Sequence, residues 1–87
     1  MEFEWDEAKR LANLVKHELD FADVVRLDWA RLKIEHDWRF DYGEARFIGV
    51  GYLDDELVAT AFTLRGAVVR IMRFRPASRR ERARYGI

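Results

Sequence analysis

Eight arginines fall in the last 23 residues of this chain: Arg65, Arg70, Arg73, Arg75, Arg79, Arg80, Arg82 and Arg84. Only one acid, Glu81, stands among them, a local charge of +7 that the rest of the chain cancels to zero overall. All are Arg and none Lys. The planar donor fork of a guanidinium matches phosphate, so the segment reads as a surface for an anionic partner, RNA above all. Proton-transfer groups are few. His17, His36, Glu44 and Tyr85 are the candidates, and without cysteine there is no thiol nucleophile or thiolate zinc site. No metal-ligand spacing is recognisable, and no cofactor or metal is expected. RNA cleavage can work with this inventory. The 2′-hydroxyl is an internal nucleophile that needs orientation, a proton acceptor and charge stabilisation at phosphorus. Arginine supplies the last, and the acceptor would be His17, Glu44 or Tyr85.

The elements that must position these groups follow from hydrophobic period. Asp6 can cap a helix in which Ala8, Leu11, Ala12 and Val15 recur at i, i+3, i+4, i+7, ending near His17. Asp20 can cap a second, shorter helix burying Phe21, Val24 and Val25. From Arg31 the period becomes two, with Leu32, Ile34, His36, Trp38 and Phe40 on the apolar phase. Further strands are expected at 46–53, 57–64 and 67–74, separated by turn-forming residues at 41–44, 54–55 and 65–66. Ser78-Arg79-Arg80-Glu81 is a capping box, which predicts a last helix from about Arg79 to Tyr85. The expected architecture is α+β: two N-terminal helices, a four-stranded antiparallel meander and a short C-terminal helix, in one domain over residues 1–87.

If the turns at 54–55 and 65–66 are two-residue hairpins, facing is fixed on three strands. Phe47, Leu53, Val58, Phe62, Leu64, Val69 and Ile71 then form a core face. Arg46 and Arg70 stand on the other face among small and apolar residues, a possible phosphate groove. Arg46 could equally pair with Glu44, and arginines on a terminal helix can be a solvated face. His36, on the apolar phase, reads as a core histidine rather than a base. The acidic N-terminus lacks the basic start and apolar run of a signal peptide, no stretch has membrane-spanning length, and a reducing cytoplasm is expected.

These residues resemble the BrnT ribonuclease toxins of type II toxin–antitoxin systems. The resemblance is carried by Phe3-Glu4-Trp5-Asp6, Lys9, Asn13, Lys16-His17, Phe21, Gly43-Glu44-Ala45-Arg46, Arg65-Gly66, Arg70-Ile71, Arg75, Ala77, Glu81-Arg82 and Tyr85. Glu18 stands where the family usually has Gly, and Arg73 where a small hydroxyl residue is common. The resemblance implies a RelE-like fold and a metal-independent endoribonuclease that inhibits translation. Its implied partners are RNA and a cognate BrnA-like ribbon-helix-helix antitoxin, with operator DNA bound only through that antitoxin. Carried over by position, Arg46, Arg65, Arg70, Arg75, His17 and Glu44 are the expected catalytic residues. Lys16, Arg73, Arg79 and Arg80 are expected to bind substrate. A non-catalytic nucleic-acid or antitoxin-binding module, or an interaction domain for an acidic protein, remain alternatives.

Overall fold

A computed structural model describes residues 1–39 and 43–86. Five strands form one sheet: β1 (Glu2–Trp5), β2 (Lys33–His36), β3 (Arg46–Leu53), β4 (Glu56–Arg65) and β5 (Val68–Pro76), in the order β1-β5-β4-β3-β2. The expected meander is present as β2 to β5, all antiparallel neighbours. The sheet has one strand more than the predicted four, because Glu2–Trp5 pairs in parallel with β5 from Glu2↔Val68 to Trp5↔Ile71. Four residues are too few for a period-two signal, and the pairing partner lies at the far end of the chain.

Helix α1 (Glu7–His17) is capped by the Asp6 carboxylate, which accepts from the Lys9 N–H. The apolar stripe predicted to bury is nevertheless outside. Leu11 is 50% and Val15 86% exposed, with Ala8 and Ala12 also exposed, and the one buried side chain of α1 is Asn13. The reason lies in what α1 packs on. Beyond Ile71 the edge of β5 has lost β1 as its partner, and α1 lies against that open edge, where backbone groups need hydrogen-bond partners more than apolar cover. Asn13 provides them. Its amide donates to the Phe74 and Leu19 carbonyls at 2.6 and 3.0 Å, and its oxygen accepts from the Phe74 N–H at 3.1 Å. After His17 the chain turns through Glu18 in the left-handed region (φ 59°), its N–H bonded to the Leu14 carbonyl. The turn a glycine would make is kept, at a backbone cost of about 1 kcal/mol.

Residues Phe21–Arg26 form a 3₁₀ helix rather than a second α-helix. With three residues per turn, Phe21, Val24 and Leu27 line up and are buried, while Val25, which an α-helix would have turned inward, is 61% exposed. Together with Leu19, this segment covers the core face formed by Leu53, Val58, Phe62, Val69, Ile71 and Phe74, with Phe3, Trp5, Trp29 and Phe47 packed around it. Leu64, expected in this set, is 54% exposed at the strand end. Strand β2 is shorter than the run from Arg31 suggested, Ile34 is 48% exposed, and Phe40 with residues 41–42 of the 41–44 turn lies outside the described residues. Leu32 still packs inward, against Gly51, where a Cβ would stand 2.5 Å from its methyl group.

The Asp54-Asp55 turn forms as read, whereas the next turn is Gly66-Ala67, one residue later than expected. Moving that turn by one changes the partner of each residue by two, so facing is preserved. What the sequence reading lacked is a β-bulge: Ile71 pairs with Phe62, and Arg73 with Ala61, leaving Met72 as the extra residue. The bulge resets the alternation. Phe74 goes into the core, fully buried, and Arg73 and Arg75 join Arg70 on the opposite face.

The short helix α2 (Arg79–Tyr85) has the predicted capping box between Ser78 and Glu81. It lies over a second apolar cluster on the opposite face, where Tyr85 and Ala77 pack on Val50, Leu57 and Ala59.

Candidate active site

Successive cross-strand rows give the opposite face its chemistry. Arg46, Thr63, Arg70 and Glu4 are neighbours across four strands in one row, Ile48, Ala61 and Arg73 form the next, and Val50, Ala59 and Arg75 the third. The third row lies under α2. Arg75 donates two hydrogen bonds to the Glu81 carboxylate at 2.7 and 3.0 Å, which clamps the helix to the sheet. Both side chains are largely buried, and the guanidinium holds the Glu81 carboxyl down at about 2, below its usual 4.5. A lowered folded-state pKa gives stability that is complete above about 4.5 and lost as pH falls towards 2. Acid titration followed by near-ultraviolet circular dichroism is therefore expected to show α2 loosening across that window, and Glu81→Gln is expected to remove this step while lowering stability at neutral pH by about 1–3 kcal/mol.

The first two rows are open. Between α1 on one side and residues 37–39 on the other runs a cleft of about 350 Å³, floored by Ala61 and Met72. Lys9, Ala12, Asn13, Lys16 and His17 line it from α1, Arg46 and Arg73 from the sheet, and Asp37 and Arg39 from the segment after β2. Five cations share this space with one carboxylate, and that carboxylate is held by Arg39 through bonds of 3.0 Å to each oxygen. The Asp37 N–H donates to the Arg46 carbonyl at 2.8 Å, fixing the rim to the first row.

His17 lies in competing fields. It ends α1, where the helix dipole favours the imidazolium. Partial burial acts against that charge, and the cations of Lys16, Arg73 and Arg75 add to the effect, so its pKa falls below the ordinary 6.5. The imidazole faces a cationic cleft that disfavours its protonated form.

Of the residues expected to act, His17, Lys16, Arg46 and Arg73 are brought together in this cleft. Arg70 is one row neighbour from Thr63 and two from Arg46, and its guanidinium lies 3.5 Å from Glu4. Arg65 and Glu44 sit beside each other at the hairpin end, 3.8 Å apart and outside the cleft. Arg75 is engaged by Glu81, and Arg79 and Arg80 are exposed on α2. Of the three possible proton acceptors only His17 lines the cleft, since Tyr85 packs edge-on to Tyr52 beneath α2. His36 is half-buried between the rings of Trp38 and Phe47.

Reasoning from hydrophobic period did not place Lys9 and Asn13 in the site, yet a signal was there. Lys9, Ala12, Asn13 and Lys16 also recur at i, i+3, i+4, i+7, and it is this stripe that faces the cleft. Arg39 and Asp37 carried no such signal.

Among the described residues no helix is long and apolar enough to cross a membrane. No curated protein matches the chain. The family model for the BrnT ribonuclease toxin of type II toxin–antitoxin systems matches residues 5–81. That stretch takes in the Asp6 cap, the polar stripe of α1, the arginines of the first two rows and the Arg75–Glu81 clamp. The chain belongs to the BrnT family of ribonuclease toxins.

Proposed function

We propose that the cleft beside α1 binds RNA and cleaves it by attack of a 2′-hydroxyl on the adjacent phosphorus, with no metal in the reaction. The observation that carries this is the placing of His17, whose proton affinity burial and nearby cations lower, among Lys9, Lys16, Arg46 and Arg73 in one cleft. His17 accepts the 2′-hydroxyl proton as the 2′-oxygen bonds to phosphorus. The bond to the 5′-oxygen breaks, that oxygen takes a proton from water, and a 2′,3′-cyclic phosphate and a 5′-hydroxyl result. Arg46 and Arg73 face the phosphoryl oxygens, where negative charge grows in the transition state. Lys9 and Lys16 hold flanking phosphates, with Arg70 adding to the field from the same row as Arg46. Arg65 and Glu44 at one end, and Arg79 and Arg80 at the other, lie along the path of a longer strand, while Arg75 acts by fixing α2.

In the cell, such cleavage stops translation in the cytoplasm. A BrnA-like antitoxin of ribbon-helix-helix type neutralises the toxin and carries the complex to operator DNA. Incubation of the purified protein with end-labelled RNA is expected to yield products ending in 2′,3′-cyclic phosphate. Its kcat/KM should rise with pH through an apparent pKa below 6.5, the limb on which His17 loses its proton. His17→Gln is expected to abolish that limb and lower the rate by about 10²–10⁴-fold. An unchanged pH profile in this variant would remove His17 as the base.

A further inference from the structure

Strand β2 ends the sheet on one side, and its bonding to β3 shows which of its backbone groups are left over. Asp37 donates its N–H to the carbonyl of Arg46, the residue directly across from it. Lys33↔Val50 and Glu35↔Ile48 continue that phase, so residues 33, 35 and 37 turn their N–H and C=O towards β3. Those of Ile34 and His36 turn outward. Among the described residues no strand pairs with this outer edge.

The side chains of the edge are open as well. Lys33, Ile34 and Glu35 are all exposed. Lys33 and Glu35, beside Val50 and Ile48, stand on the cleft face, while Ile34 and His36 stand on the core side. There Trp38 stacks on His36 with centroids 3.7 Å apart and leaves 79% of its own surface in water.

An open edge invites a further strand, and edges are ordinarily guarded by shortness and by charge. This one is short and carries a lysine, yet the charge two residues on has the opposite sign. Laid antiparallel against a second copy of itself, about a two-fold axis at Ile34, the strand meets its own complement. Ile34 exchanges both backbone bonds with Ile34 of the second copy, and their exposed side chains meet on the core side. Lys33 stands opposite Glu35 of the second copy, and Glu35 opposite its Lys33. Other registers lose this match. A slip of one residue sets outward backbone groups against inward ones. A slip of two sets Lys33 against Lys33 in one direction and Glu35 against Glu35 in the other.

We propose that β2 is an interface for a second copy of this chain, with the two sheets joined edge to edge in the antiparallel register centred on Ile34. The axis is perpendicular to the sheet, so both clefts open on the same face of the joined sheet. The proposal stands whatever the clefts bind. A strand of four residues makes a small contact, so the dimer is weak and forms as concentration rises.

Sedimentation velocity of the whole chain between about 1 and 500 μM is expected to show monomer converting to dimer. Lys33→Glu and Glu35→Lys each place like charges across the axis, and each variant alone is expected to remain monomeric. Mixed in equal amounts the two variants should dimerise, because every pair across the axis is again opposite in sign. The double variant Lys33→Glu/Glu35→Lys should dimerise by itself for the same reason. Glu35 also pairs with Arg84 at 2.7 Å, but a loss caused by loosening of α2 would persist in the mixture. A wild-type chain that sediments as a monomer throughout overturns the proposal. So does a dimer that both single variants keep, or a loss that neither the mixture nor the double variant restores.

Discussion

Arg46→Ala is expected to lower RNA cleavage by about 10²–10³-fold at saturating substrate, with the melting temperature almost unchanged. Arg46 opens β3 on the face away from the core, opposite Thr63 and within the cleft that holds His17. In the proposed reaction its charge acts where the pentavalent phosphorus gathers negative charge, so its loss should fall on kcat more than on KM. The neighbouring arginines separate this effect from a general loss of positive charge. Arg79→Ala, on the exposed side of α2, should lower affinity modestly and reduce the salt dependence of binding by about one counterion, with kcat intact. Arg75→Ala should act through stability, because it strands the largely buried Glu81 carboxylate. Single-turnover rates for the three variants, read beside their thermal melts, test the assignment. A rate for Arg46→Ala within about three-fold of wild type would contradict it.

Asn13→Leu is expected to destabilise the fold by about 3–5 kcal/mol, a large part of the roughly 5–10 kcal/mol available to a domain of this size. Leucine is close in volume and ordinarily welcome in a helix, so a helix propensity argument gives the opposite sign. The cost comes from three backbone groups left without partners: the Phe74 N–H, the Phe74 carbonyl and the Leu19 carbonyl. Asn13→Asp keeps an acceptor for the Phe74 N–H but faces both carbonyls with a carboxylate, and should be no better tolerated. Urea denaturation with an unchanged m-value would give the difference directly. A shift below about 1 kcal/mol would mean that α1 is held by its apolar contacts after all.

These two residues also mark where sequence reasoning succeeded and where it stopped. Asp6, Ser78 and Glu81 announced both α-helices, because a cap is a local contract between a side chain and backbone groups three residues away. The alternation through β3, β4 and the start of β5 placed Arg46 and Arg70 on one face, since a period of two survives a turn displaced by one residue. Periodicity failed for α1 because it carries two stripes at the same spacing, and choosing between them requires knowing that the helix meets a strand edge rather than a sheet face. It failed at Met72 because a bulge is set by the pairing of two strands and leaves no mark in either alone. Lys9 and Arg39 entered the site only through non-local facts, and Arg73, expected from the family resemblance, reached the cleft face through the bulge, whereas His17 and Lys16 stood out as neighbours at a helix end. The family resemblance supplied Arg75 as a conspicuous arginine, and the geometry shows it holding Glu81.

The parallel pairing of β1 with β5 has a consequence for the order in which the protein assembles. Glu2 finds its partner at Val68, so the first of the five strands waits for the last. Contacts of such long range slow folding, because most of the chain must be closed into a loop before they form. Asn13 likewise waits for Phe74, which means that α1 cannot settle beside the cleft until β5 exists. The β3–β4 hairpin closes on local contacts with Arg46 in place, yet His17 and Arg73 join it only once β5 is paired. The cleft beside α1 is thus a late product of folding, closed only after β5 has joined the sheet.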